Sequence, residues 1–172
     1  SGGRSNWKGD YVDTPVKPLY PFGYGLSYTQ FEYSALQIEQ AGAQAGEQVR
    51  IYVNVTNTGE RSGDEVVQLY VHQNVRLVTR PVKELKGFKR ITLEPHETQT
   101  VTFTLAVNQL GFYDLNQEFV VEPGPVDVMV GSSSQDIHCT GRFEITGART
   151  NVSANKVFFS EALAAKAQPA GL

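Results

Sequence analysis

Along most of the chain, apolar and polar residues alternate with a period of two. "QVRIYVNVTN" sets Val49, Ile51, Val53 and Val55 on one face and Arg50, Tyr52, Asn54 and Thr56 on the other. Successive side chains of a strand point to opposite faces, so this alternation predicts a strand with one buried side. "DEVVQLYVHQ" repeats the pattern, with Val67, Leu69 and Val71 against Gln68, Tyr70 and His72. "TQTVTFTLAV" sets Val101, Phe103 and Leu105 against threonines, a mixture suited to a pleated surface. "GPVDVMVGSS" and "CTGRFEIT" supply Val126, Val128, Val130, Phe143 and Ile145, and "FEYSALQIEQ" and "KELKGFKRITL" read as two more strands. Between the runs, "NTGERSGD", "LEPHE" and "VEPGP" carry the Gly, Pro, Asn and Asp that tight bends require.

About seven short strands and no internal helix predict an all-β fold, an antiparallel immunoglobulin-like sandwich. The Cys…Trp…Cys spacing of antibody domains is missing, which favours a fibronectin type III-like variant. The expected layout is an irregular arm over 1–30, the sandwich over 31–146 and a tail over 147–172. Ala, Leu, Glu and Lys in that tail predict a short helix over 157–167, ended by Pro169 and Gly171. The arm is unlike either regular element: "PLYPFGYGLSY" spaces Tyr20, Phe22, Tyr24 and Tyr28 with Pro21, Gly23 and Gly25. Such a cluster of large apolar groups predicts a docking surface, because contiguous exposed apolar patches mark interfaces.

Composition narrows the choices. The chain has 172 residues, 40% hydrophobic and 19% charged, which is globular in character. Its formal net charge of -3 and scattered basic residues argue against nucleic acid as a partner. No apolar run approaches the roughly 20 residues of a membrane span, so no membrane partner is expected. No apolar leader is visible in "SGGRSNWKGD", and the single Cys139 cannot form an intrachain disulfide.

Chemistry-bearing motifs are sparse. His72, His96 and His138 lie far apart, so neither a metal nor another cofactor is expected. Cys139, at the start of a strand, reads as a small core or edge residue. Asp10, Asp13, Asp64 and Glu65 read as solvated turn acids, since sugar hydrolysis needs two carboxyls about 5 to 9 Å apart in a cleft. Asn54-Val55-Thr56 and Asn151-Val152-Ser153 match the glycosylation sequon, which matters only in a chain secreted by a eukaryote.

Four stretches in a shared order carry a resemblance: "PLYPFGYGLSYTQFEYS", "VNVTNTGERSGDEVVQLYV", "RPVKELKGFKRITLEPHETQTVTFTL" and "EPGPVDVMVGSSS". From about Leu19 to Ile145 the chain resembles the C-terminal end of glycoside hydrolase family 3 enzymes, the β-glucosidases and β-xylosidases. The resemblance implies a fibronectin type III-like domain following two catalytic domains that hold an Asp nucleophile and a separate acid/base. It implies no catalytic residue in this chain. The partners it implies are those upstream domains, in one chain or as a separate chain, with a β-glucoside bound in the assembled enzyme and a homodimer contact as a further role. The localisation is left open by the sequence, with a periplasmic or secreted setting expected over a cytoplasmic one. "RSNW" looks like the family's Ser-Asp-Trp nucleophile motif but has Asn6 at the decisive position, and an amide cannot replace that carboxylate. Arg4 and Trp7 are nonetheless candidates for the substrate rim, Trp7 by stacking on a sugar ring or, alternatively, as an interdomain packing residue. The rival reading is an independent carbohydrate-binding or adhesive module, which predicts a planar row of outward aromatics such as Tyr52 and Tyr70.

Overall fold

The computed structural model describes residues 29–73 and 83–167. In chain order the strands are β1 (Phe31–Ile38), β2 (Gly42–Ala43), β3 (Gln48–Asn57), β4 (Gly63–Gln73), β5 (Glu84–Leu93) and β6 (Thr98–Ala106). A single 3-10 turn at Val107–Leu110 leads into β7 (Phe112–Tyr113), β8 (Phe119–Val121), β9 (Gly124–Ser133), β10 (Asp136–Ile145), β11 (Thr150–Asn151) and β12 (Glu161–Lys166). A four-stranded sheet, ordered β1-β3-β6-β12, faces a five-stranded sheet, ordered β2-β10-β9-β4-β5. Pairing is antiparallel throughout except between β2 and β10. A small sheet, β11-β8-β7, lies beside them. The expected antiparallel sandwich is therefore present, with twelve strands among the described residues instead of about seven. The extra ones are mostly pieces of two or three residues, too short for alternation to be read from sequence.

The core forms where the alternation sends it. Val49, Ile51, Val53 and Val55 of β3 and Val101, Phe103 and Leu105 of β6 are all at 0% exposure. They pack against Val67 and Leu69 of β4, Val126, Val128 and Val130 of β9, and Phe143 and Ile145 of β10. Apolar burial contributes roughly 25 cal/mol per Å², and this sheet-on-sheet interior supplies most of it.

Two expectations fail. Residues 161–166 form no helix; β12 pairs along the outer edge of β6, from Glu161 opposite Thr104 to Lys166 opposite Gln99. A helix of about ten residues is marginal in water on its own, whereas β6 presents an open row of backbone donors and acceptors. Ala162 and Ala164 face the core, and Leu163 faces out. The lead-in is tied down as well, since Ser160 donates its N–H to the Lys86 carbonyl at 2.9 Å and its hydroxyl to Gln109 Oε1 at 2.9 Å. Ending the chain after Ser160 should lower the unfolding free energy on the order of 2–3 kcal/mol, because backbone hydrogen bonds are worth about 1 kcal/mol each net. Urea denaturation reads this, and an unchanged midpoint would return the segment to a dispensable tail.

The second failure concerns Tyr70, which was expected on an outward face. It is 4% exposed on β4, with its hydroxyl bonded to Gln68, itself 3% exposed. β4 lies between β9 and β5, and both of its faces are covered here. Tyr52 is on the other sheet, so the two tyrosines form no row on one face.

Candidate functional site

At one end of the sandwich the chain enters β1 beside the β3–β4 turn. Thr58 donates its backbone N–H to the Gln30 carbonyl at 2.8 Å, and the Thr29 hydroxyl donates to Asn57 Oδ1 at 2.7 Å. Asn57, the last residue of β3, is at 0% exposure and anchors this end. Its Nδ2 donates to the carbonyls of Arg61 at 2.7 Å and Leu93 at 3.0 Å, while its Oδ1 also accepts from the Gly59 N–H at 2.9 Å. A single side chain thus joins the entry of β1, the turn and the end of β5.

Next to this anchor is a polar cavity of about 490 Å³. It lies where β1 of one sheet meets the start of β4 and the β9–β10 hairpin of the other. Glu32, Tyr33, Glu65, Ser132, Asp136 and His138 are among its lining residues. The Tyr33 and His138 rings stack in parallel, centroids 4.3 Å apart at 6°. His138 Nε2 is 3.1 Å from Asp136 Oδ2, which also accepts the Ser132 hydroxyl at 2.5 Å. The bond from Ser132, with the help of His138, holds the Asp136 carboxyl below its usual value. Asp64, at the rim, is held low by hydrogen bonds from Arg90 and Thr92.

Glu65 is the opposite case. Burial raises its pKa above the ordinary 4.5, against the opposing hydrogen bond from the Val66 N–H. A carboxyl raised in the folded state favours the protein while protonated, below about pH 4.5, and that contribution is lost as pH rises through the raised value. Glu65→Gln should therefore raise Tm at pH 7 by a few degrees relative to the wild type, and the gain should vanish near pH 4. Thermal unfolding across that range checks the sign, and a variant less stable at pH 7 would contradict it. Burial also pushes the Tyr33 hydroxyl far above its ordinary value, so it stays neutral.

The candidates in the arm, Arg4 and Trp7 at the rim and Tyr20, Phe22, Tyr24 and Tyr28 for docking, lie outside the described residues. The cavity and Asn57 were missed in sequence. Asp64 and Glu65 read as solvated turn acids, yet Glu65 is half-buried at the start of β4. Asn57 read only as a turn residue. Cys139 is half-buried in β10, four residues into the strand and against the core, with its thiol pushed up by burial. Among the described residues, no three His, Cys, Asp or Glu side chains converge as metal ligands. Of the two sequon asparagines, Asn151 is exposed, whereas Asn54 lies mid-strand and accepts the Thr100 hydroxyl at 2.8 Å.

Two facing sheets with this strand order define the class: residues 65–134 match the fibronectin type III-like domain family. The chain is 46% identical over 128 residues to a β-xylosidase of Formosa agariphila, covering 74% of this chain and 18% of that protein. It is 42% identical over 135 residues to a periplasmic β-glucosidase of Salmonella typhimurium, covering 78% and 18%. A β-glucosidase of Listeria innocua, solved with glucose, superposes at a TM-score of 0.70 and 38% identity over 80% of this chain and 19% of that one. The chain is thus similar to the fibronectin type III-like part of β-glucosidases and β-xylosidases, among them family 3 enzymes. It spans under a fifth of the length of these relatives. No helix among the described residues is long and apolar enough to cross a membrane.

Proposed function

We propose that this chain is the C-terminal, non-catalytic domain of an enzyme that hydrolyses terminal non-reducing β-D-glucosyl residues with retention of configuration. The observation that carries the reading is 42% identity to a β-glucosidase of which the chain covers only 18%. The catalytic carboxylates then belong to the rest of the enzyme, and this domain docks on the catalytic domains and stabilises them. Residues 1–30 serve as the connecting arm. Its Tyr20, Phe22, Tyr24 and Tyr28 pack between the sandwich and those domains, and Arg4 and Trp7 reach toward the substrate rim. A relative described as a β-xylosidase supports β-xylosides as the alternative substrate class. The Salmonella relative, described as periplasmic, supports a periplasmic or secreted setting. A homodimer contact is an additional role for the same surfaces.

The test is made on the intact enzyme and on the isolated chain. The 172-residue chain should not cleave nitrophenyl β-glucoside or β-xyloside. Removing it from the enzyme should lower both Tm and kcat/KM at least tenfold in the latter, with partial rescue when the chain is added back. Turnover by the isolated chain, or an enzyme indifferent to its loss, would overturn the reading. Capture of the isolated chain on insoluble cellulose or xylan would favour the independent carbohydrate-binding module instead. Deleting residues 1–10 and measuring KM for aryl and disaccharide substrates tests the rim, and unchanged KM values would exclude it.

A further inference from the structure

The cavity at the entry end has an unbalanced inventory of charges. Arg90 and Thr92 already engage Asp64, and His138 with Ser132 engages Asp136. Glu65 has no Lys or Arg partner among the described residues, although it is half-buried. Behind it stands Tyr33, 8% exposed, whose buried hydroxyl has no hydrogen-bond partner among the described residues. The buried Tyr33 hydroxyl is thus left without a partner, and half-buried Glu65 has the Val66 N–H, at 2.9 Å, but no cation, a cost that a suitable ligand would relieve. A cationic N–H donor entering the cavity would be accepted by the Glu65 carboxyl and by the Tyr33 hydroxyl oxygen.

The chemistry of the ligand follows from the donors and acceptors present. No metal-ligand trio forms among the described residues, which favours an organic cation over a metal ion. The Tyr33–His138 stack gives the cavity a flat aromatic wall. Carboxylates beside a flat wall suit a guanidinium, which is planar, always charged and able to donate several N–H bonds at once, better than a point-like ammonium. We propose that this cavity receives an arginine side chain from the catalytic part of the same enzyme, with Glu65 and Asp136 accepting its N–H groups. The location agrees, because Thr29 and Gln30, through which the chain enters the sandwich from the arm, also line the cavity. The partner's identity rests on the reading above; the cavity's preference for a guanidinium does not.

NMR titration of the 172-residue chain with N-acetyl-arginine methylamide tests the preference, with the citrulline analogue as a neutral isostere. Amide shifts at Tyr33, Glu65, Ser132, Asp136 and His138 should move together and saturate. Apparent affinity should fall at least fivefold for citrulline, and likewise for arginine with the E65Q or D136N variant. E65Q is expected to fold at least as well as the wild type, and D136N provides a second reading on the other carboxylate. Equal response to citrulline, indifference to both substitutions, or no saturation would each overturn the proposal. Glucose moving the same amides would assign the cavity to a sugar and overturn it too. Because no catalytic domain is present in this titration, its failure leaves membership of the enzyme untouched. Conversely, an enzyme indifferent to the domain would leave the arginine site standing.

Discussion

Replacing Phe103 with alanine should lower the free energy of unfolding by about 3–5 kcal/mol, the range for removing a fully buried aromatic ring. Phe103 has 0% exposure in the middle of β6 and is one of the largest fully buried side chains. Its ring spans the gap between the sheets to β5, where a Cβ on Gly87 would come within 3.3 Å of Phe103 Cδ1. The absent side chain at Gly87 is therefore what lets the ring reach across, and the two positions form one packing unit. A Phe103→Leu control keeps part of the volume and should cost less than half as much. Since a domain is typically stable by about 5–15 kcal/mol in total, the alanine variant should lose a large share of that margin. Urea unfolding followed by tyrosine and tryptophan fluorescence gives the values. A loss under 1 kcal/mol for the alanine variant would mean that the ring is not a core element.

Asn57→Ala should cost about 2–4 kcal/mol, although it removes only a short polar side chain. The side chain donates to Arg61 and Leu93 carbonyls and accepts from the Thr29 hydroxyl and the Gly59 N–H. Its bond to the Leu93 carbonyl is wholly buried, so the substitution removes a hydrogen bond that water cannot replace. Stranding one buried polar group costs about 1–3 kcal/mol, and the looser turn adds to it. Asn57→Asp should be no better, because it keeps the acceptor but turns a second carboxylate oxygen toward two carbonyls. Hydrogen exchange should also show faster opening of residues 57–63 and of the start of β1. An alanine variant with wild-type stability and exchange would remove Asn57 from its role as the anchor of the entry end.

These two residues differ in how much of their role could be read from the sequence. Phe103 stands in a run of alternating threonines and apolar residues, so its inward face was evident from its neighbours alone. Asn57 stands among Thr58, Gly59 and other turn residues, and its type announces a bend and nothing more. Its partners lie 28, 4, 36 and 2 positions away along the chain. The cavity was hidden for the same reason, since Tyr33, Glu65 and Asp136 belong to three separated strands.

The sequence alone determined the strands whose alternation is long enough to report a two-residue period, the inward face of each, and the likeness to family 3 enzymes carried by several motifs in order. Alternation is a local property, written into consecutive residues by the geometry of an extended backbone. Tertiary structure decided what depends on neighbours distant in the chain. Glu161–Lys166 has helix-favouring composition, yet the open edge of β6 offered backbone partners that a short helix in water cannot match. Tyr70 occupies a polar-face position of its strand, but β4 is covered on both sides, so the ring is buried and bonded to Gln68. Glu65 looked like one more surface acid until the fold set it between two sheets, where burial changes what its charge costs and what it can bind.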